Sequence, residues 1–373
     1  AVELKHFKNI GDQRVELGPL NVLVGRNGTG KSNFIDALRF LQSCFDLGLE
    51  VALGPGSGLT EIKQWSAPPE APVAIALEGQ TEDQRWRYEI ELSERNERPT
   101  ILRERFSAGA APDGPLEVLI DAQEGTLRKR IEGLDPDLAD NLLLPLLSRQ
   151  EPFAGAFGTI REMEFYAIPQ ARLGVVSASH GSSRLDASGM NMARTLRVIQ
   201  QNEPERFAEL LSCISRIAEN VDRIQVRKAG EQLLIEAHHP APSPLWKNAF
   251  YESDGTLRAL GLLAARFQVP EPSLIAFEEP ELNLHPGAMG LLADVFSEAA
   301  LTTQIILTTH SPDLIARFPV ESLLVVEALD GEARIGPVEE SQRQIIEEQL
   351  FSAGDLLRLR GGLERQTATD GIR

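Results

Sequence analysis

Three observations in this chain predict an α/β fold built around one strand–loop–helix unit, with an antiparallel β-meander and an inserted α-helical lobe. The apolar run Leu20-Asn21-Val22-Leu23-Val24 leads straight into Gly25-Arg26-Asn27-Gly28-Thr29-Gly30-Lys31-Ser32, and a helical stretch follows from Ser32 through Asn33, Phe34, Ile35, Asp36, Ala37 and Leu38. Between Pro72 and Gly133, short runs alternate apolar and polar residues with the period of half-exposed strands. From Asp135 to Asn220 the period turns helical.

The elements justify themselves in order. Val2 to Ile10 and Gln13 to Leu17 alternate on either side of a Gly11-Asp12 turn, which reads as a hairpin feeding the glycine-loop strand. Gly48 to Gly58 is loop-like. The meander is carried by Val73–Leu77, Arg85–Leu92, Thr100–Phe106, Leu116–Ile120 and Thr126–Ile131. Helices are expected over Leu138–Leu144, Met192–Ile199 and Phe207–Ile217, with a strand at Glu164–Pro169 and a polar loop from Gly174 to Gly189. Strands Val221–Arg227 and Gln232–Ala237 follow, then helix Leu257–Phe267, strand Leu274–Phe277, helix Gly287–Ala300 and strand Gln304–Thr309.

Composition narrows the classes. A net charge of −18 argues against a surface that is basic throughout, although it allows a local groove. The short clusters Arg128-Lys129-Arg130 and Arg184, Arg194, Arg197 read as solvated faces. No apolar run approaches the roughly 20 residues that span a bilayer, and the first residues lack a signal-peptide pattern, so a cytoplasmic setting is expected. Cys44 and Cys213, far apart and without Cys-x-x-Cys spacing, read as reduced, buried thiols. His285 and the pair His238-His239 read as ordinary hydrogen-bonding residues rather than metal ligands. Trp65, Trp86 and Trp246 read as core or strand-pairing residues rather than base-stacking platforms.

The segment Gly25–Ser32 is a complete Walker A loop. Its glycines let the backbone N–H groups turn toward the β- and γ-phosphates of a nucleoside triphosphate, Lys31 adds a mobile cation, and the Ser32 hydroxyl completes a Mg²⁺ shell. The helix starting there aims its positive end at the same phosphates. Taken alone, the loop does not choose among kinases, GTPases, helicases and ABC-type ATPases. Further along, Leu274-Ile275-Ala276-Phe277-Glu278-Glu279-Pro280 is an apolar strand ending in two acids, the form of a Walker B element. One acid would hold Mg²⁺, directly or through water, and Glu279 stands where a general base would act on the attacking water. Leu282-Asn283-Leu284-His285-Pro286 follows, and Gln304–Thr309 ends in His310-Ser311-Pro312, bringing a histidine to the tip of a neighbouring strand. Ser253 and Gly255 open another helix, a second anion-seeking N-terminus. One loop already serves one triphosphate, so this helix most economically serves the nucleotide of a second copy.

The order Walker A, Ser-Asp-Gly-Thr, Glu-Glu-Pro-Glu, Asn-Leu-His-Pro and Thr-Thr-His-Ser-Pro resembles the ABC-like ATPase heads of the RecF, SMC and OLD (overcoming lysogenization defect) groups. Within that set the chain is similar to the compact bacterial predicted AAA ATPases. The motif-bearing parts lie within residues 1–40 and 250–330, and the closing Gly354-Asp355-Leu356-Leu357-Arg358 resembles that family's tail. The resemblance implies a P-loop NTPase of ABC-head type. In it Gly25, Asn27, Gly28, Gly30, Lys31, Ser32 and Asn33 bind ATP, and Ser32 and Glu278 attend Mg²⁺. Glu279 is the base, His310 the switch histidine and Asn283 part of the D-loop, while Ser253 and Gly255 form a signature that acts across a dimer. Glu278 replaces the aspartate of transport-type proteins, and Ser-Asp-Gly-Thr replaces Leu-Ser-Gly-Gly-Gln. The Q-loop glutamine is Gln170 or Gln64.

The domain organisation that follows is an N-terminal head portion over residues 1–71, the meander over 72–133, the helical lobe over 134–220, the C-terminal head portion over 221–365 and a tail over 366–373. The function expected is ATP hydrolysis by a head that dimerises head to tail on ATP, in DNA repair or anti-phage defence. The alternative is a slow ATP-controlled switch that regulates a separate effector protein, such as a nuclease, without binding DNA. The long interval between loop and signature, and the absence of a membrane-spanning run, point away from a transporter subunit.

Overall fold

Side chains alternate across a strand, so apolar residues at every second position bury one face of a sheet. Over Arg85–Arg95, Trp86, Tyr88, Ile90 and Leu92 are buried, while Arg87, Glu89 and Glu91 occupy the other, partly exposed face. The structure, a computed structural model, describes every residue except 55–57, 82–83, 97, 110–113, 125, 129–140, 169–172, 219, 241–243, 360–361 and 368–373. The chain divides into two compact units.

The first unit comprises Ala1–Leu17, Gly25–Met163 and Val325–Gly336. Its seven-stranded antiparallel sheet has the order Gln13–Val15, Val2–Lys5, Val73–Gln80, Arg85–Arg95, Arg98–Gly109, Glu117–Gln123, Thr126–Leu127. The last five of these are the expected meander. The opening hairpin pairs Val2 with Val15, but its first strand stops at Lys5 instead of running on to Ile10. Phe7 and Ile10 are both fully buried, and positive φ at His6 and Lys8 lets the chain double back to insert them together. Helix Lys31–Leu47 buries Phe34, Ile35, Leu38 and Leu41 along one face, each worth about 1.5–3 kcal/mol of apolar transfer.

Of the helix expected from Leu138, the described part is Leu143–Leu146, since residues 129–140, and with them Lys129 and Arg130, lie outside the described residues. A further helix, Phe153–Arg161, was not expected from the period; its Gly155 and Gly158 dilute the apolar stripe. Trp86 is in the core. Trp65 is not: it is 81% exposed, because its neighbours Ile62 and Gln64 are the residues turned inward.

The second unit comprises Gly18–Val24, Glu164–Leu324 and Pro337–Arg373. Its central strands Leu20–Val24, Gln304–Thr309 and Leu274–Glu278 pair in parallel, with Met163–Tyr166 beside Leu274–Glu278. These strands are nearly continuous runs of buried residues, mostly apolar but with Asn21, Thr308 and Thr309 among them, as a sheet covered on both faces requires. Helices Asp254–Phe267 and Met289–Ala299 belong to this unit, and Phe277 lies between Tyr166, at 5.6 Å, and Phe296, at 5.1 Å between ring centroids.

The lobe's helices form at Met192–Asn202 and Pro204–Ile217. The stretch expected to be only a polar loop contributes a short strand, Val176–Ala178, which pairs with Gln232–Leu234. Arg223–Ala229 and Leu245–Asn248 complete that antiparallel sheet, where Trp246 stands opposite His238 as a strand-pairing residue. Cys44 and Cys213 are free, the first buried and the second half-buried. Among the described residues no helix is long and apolar enough to cross a membrane.

Candidate functional site

The phosphate loop is shaped by its own backbone. Lys31 is buried, and its Nζ donates to the carbonyls of Gly25 at 2.7 Å and Arg26 at 3.0 Å, curling the loop around the ammonium. The Thr29 hydroxyl donates to the Arg26 carbonyl at 2.9 Å and tightens the same curl. Gly28 and Gly30 take φ of 77° and 113°, a region open to glycine at little cost. A Cβ on Gly28 would meet nothing within 4 Å, so that position needs glycine for conformation alone. At Gly25 the constraint is contact: a Cβ would lie 2.3 Å from the Val326 carbonyl oxygen. Asn9 braces the loop from outside by donating to the Thr29 carbonyl at 3.2 Å and accepting from the Asn33 amide at 2.7 Å.

The helix starting at Lys31 has Gly30 as its N-cap and no side-chain cap, which leaves its N-terminus to an anion. Asn27 and Ser32 are exposed. Of the two candidate Q-loop glutamines, Gln170 lies outside the described residues. Gln64 is buried and donates to Glu332 at 3.0 Å.

In the second unit, strand register brings the acid and histidine positions level. Val24 pairs with Thr309, Leu23 with Thr308, and Thr308 with Glu278. The end of the strand that precedes Gly25 in the chain is therefore aligned with the strand ends from which Glu279 and His310 emerge. The Glu279 N–H donates to the Thr308 carbonyl at 2.9 Å and lies 3.3 Å from the Thr308 hydroxyl oxygen. Glu279 has φ of 45°, uncommon for a residue with a side chain and the kind of local strain that surrounding contacts must hold. Its carboxylate Oε1 is 3.2 Å from His310 Nδ1, with both side chains partly open to solvent.

The turn beyond is held just as closely. The Thr309 hydroxyl donates to Glu281 at 2.5 Å and accepts from the Ser311 N–H at 3.0 Å, which fixes the backbone on both sides of His310. Asn283 also has positive φ, 63°, and a Cβ on Gly255 would lie 2.5 Å from its carbonyl oxygen. Ser253 is the N-cap of helix Asp254–Phe267: its Oγ accepts from the Thr256 N–H at 3.1 Å, and the residue is exposed. The preceding Glu252 carries a bond from His239 at 2.7 Å, and His238 is 2.6 Å from Asp222. His285 accepts from the Gly287 N–H as a helix cap.

Ser32 carries a hydroxyl and Glu278 a carboxylate, and each is a hard oxygen donor of the kind that suits Mg²⁺. Thr308, Thr309 and Glu281 lie within the quoted motifs but were given no role there, and Arg258 was given none either. Arg258 is buried and, among the described residues, donates to three backbone carbonyls. Burial pulls its guanidinium below the usual arginine range, with the charges of Glu281 and Glu279 acting in the opposite direction. The signal available was an arginine early in helix Leu257–Phe267, where every other residue but Arg266 is apolar.

Comparison with known proteins agrees with this architecture. A family model described as "AAA domain, putative AbiEii toxin, Type IV TA system" matches residues 20–174 and 193–316. The DNA replication and repair protein RecF of Streptococcus agalactiae is 44% identical over 41 residues. That match spans only 11% of this chain and 11% of RecF. An Smc head bound to the C-winged helix domain of ScpA superposes with a TM-score of 0.57 at 16% identity, covering 92% of this chain and 98% of the other. An Smc head with an extended coiled coil, bound to the C-terminal domain of ScpA derived from Pyrococcus furiosus, gives a TM-score of 0.50 at 15% identity, with coverage of 94% and 98%. At these identities the likeness is one of fold.

Proposed function

We propose, from the premise that the chain belongs to this AAA-domain family and has an ABC-like head fold of the RecF and SMC group, that it hydrolyses ATP as a dimer closed on two nucleotides. What supports this reading is the sheet register: the strand delivering the phosphate loop, the strand ending in Glu278 and the strand ending before His310 finish level with one another. Ligands of parallel α/β sheets bind beyond such carboxyl ends.

In this reading the amides at the start of helix Lys31–Leu47 and the Lys31 ammonium hold the β- and γ-phosphates, with Asn27 and Asn33 flanking them. Ser32 and Glu278 would hold Mg²⁺, whose charge screens the phosphate oxygens. Glu279 accepts a proton from water as the water oxygen attacks the γ-phosphorus and the bond to the ADP oxygen breaks. His310, beside the Glu279 carboxylate, orients that acid and donates toward the departing phosphate. Ser253 and Gly255 of the second copy approach the same γ-phosphate from the other side, so each site is complete only in the dimer.

The setting proposed is DNA repair or anti-phage defence, supported by the short RecF match and by the family's description. The net charge of −18 favours a second reading, in which the closed dimer engages an effector protein and hydrolysis times its release. Added DNA separates the two. A DNA-associated head is stimulated by it and binds it less well as salt rises, whereas an effector switch does neither.

The decisive experiment measures Glu279→Gln by light scattering with and without ATP and Mg²⁺, beside phosphate release by the unaltered protein. The expected outcome is a trapped dimer with turnover reduced on the order of 100- to 10,000-fold. A variant that binds ATP yet stays monomeric, or that keeps hydrolysing, would overturn the composite-site mechanism.

A further inference from the structure

We propose that Arg258 is a positioning residue that couples the helix opening at Ser253 to the backbone of Glu279, an inference that rests on the ATPase reading above. The guanidinium leaves helix Asp254–Phe267 one turn after the signature and reaches two separate segments. Its Nη2 donates to the Glu279 carbonyl at 2.6 Å, its Nε to the Pro280 carbonyl at 3.4 Å, and its Nη1 to the Ile168 carbonyl. Ile168 closes the described stretch that leaves strand Met163–Tyr166. One side chain thereby ties the signature helix, the exit of an edge strand and the turn carrying the acid.

A role limited to filling space would not call for arginine here. Its helical neighbours Leu257, Ala259, Leu260 and Leu262 are buried and apolar, and Arg258 itself is 3% exposed. Among the described residues no carboxylate is hydrogen-bonded to it. Burial of the charge outweighs the nearby charges of Glu281 and Glu279, so the guanidinium is costly here, and a methionine or leucine would pack without that cost. What arginine alone provides is a planar fork with donors aimed in several directions at once.

The peptide it holds is the one whose orientation counts. Glu279 sits at φ 45°, with its N–H bonded to the neighbouring strand at Thr308 and its carbonyl bonded to Arg258. The two bonds together define the direction in which the carboxylate leaves the chain. The same helix touches this turn a second time, where Gly255 lies against the Asn283 carbonyl. With two contacts one turn apart on the helix, a displacement of the Ser253 end on meeting a partner's γ-phosphate is carried to the Glu279 peptide. Arg258 thus makes the acid's alignment depend on closure of the dimer.

Arg258→Lys tests this. Lysine keeps the charge and most of the volume but cannot bond in the same fork geometry. The measurements are affinity for a fluorescent ATP analogue, kcat and KM, and ATP-dependent mass in a Glu279→Gln background, with Arg258→Met alongside. The expected result for Arg258→Lys is analogue affinity and KM within about threefold of the unaltered protein, an ATP dimer that still forms, and kcat reduced at least about tenfold. Arg258→Met falls lower still. A role in folding alone predicts something else, namely that kcat falls only in proportion to a loss of folded or ATP-binding protein. That result, or an unchanged kcat in Arg258→Lys, overturns the proposal, and Arg258→Lys decides the matter if Arg258→Met does not fold. Failure of the underlying reading is separately visible, since Glu279→Gln alone would then hydrolyse ATP or remain monomeric.

Discussion

The phosphate loop and the acid-bearing turn serve one proposed reaction but are built on opposite plans. The loop is shaped from within: Lys31 bonds to carbonyls five and six residues away, and the left-handed conformations fall on Gly28 and Gly30. The acid turn is shaped from outside. Its Glu279 N–H meets a threonine 29 residues away, its carbonyl meets an arginine 21 residues away, and Glu281 meets a threonine 28 residues away. Its left-handed positions fall on Glu279 and Asn283, which carry side chains. A locally encoded site can bind ligand by itself. A site assembled from distant segments responds when any of those segments moves, which is the property a switch requires.

The largest effect that separates the two plans is expected from Gly25→Ala. Its Cβ would meet the Val326 carbonyl at 2.3 Å, and the loop has to open, so ATP affinity measured by titration should fall about 10- to 100-fold, the scale of a 1–3 kcal/mol overpacking penalty. Gly255→Ala sets a Cβ 2.5 Å from the Asn283 carbonyl, a clash of similar depth in the other region. There the expectation is unchanged ATP affinity in the monomer, with turnover and the ATP-dependent dimer reduced about tenfold. If Gly255→Ala lowered the monomer's ATP affinity as much as Gly25→Ala, the division between the regions would be wrong.

A smaller effect sharpens the contrast through stability. The unit carrying the phosphate loop holds Glu104 fully buried, accepting from the N–H groups of Leu143 and Leu144 at 2.7 and 2.9 Å and from the Tyr88 hydroxyl at 2.9 Å. Burial is the dominant cause and raises its pKa to about 7, while those three hydrogen bonds pull the other way. An unfolded chain gives up this proton near the ordinary value of 4.5, so between pH 4.5 and about 7 the folded state binds the extra proton. Stability from this group is therefore present below pH 4.5 and lost as pH rises to about 7, by at most about 3 kcal/mol. Glu104→Gln should flatten that slope in denaturant titrations at several pH values, and hydrogen exchange should localise the change to Leu143–Leu146. An unaltered slope would assign the pH dependence to other groups.

How far the molecule could be read from its residues follows the same division. The phosphate loop, the paired acids, His310 and the five-run meander were legible because each is a pattern among near neighbours. Glycine spacing and period-two alternation act on the local backbone before any tertiary contact forms. Trp65 was misread as a core or strand-pairing residue because neither neighbour's inward turn has a local signature. The short strand Val176–Ala178 exists only because Gln232–Leu234 lies beside it. Arg258 was given no role from the sequence, because its three carbonyl partners belong to segments that the sequence does not bring together.

By itself, then, the order of residues determined that this chain has a loop of Walker A form at the end of a buried strand and carboxylates at the end of another. Glycine stereochemistry, apolar periodicity and helix N-terminal polarity are properties of short stretches. Only the tertiary structure decided the register that levels those strand ends, the strained backbone at Glu279 and the buried arginine that holds it. Each of these depends on hydrogen bonds between residues more than twenty positions apart, and no local preference specifies such a partner.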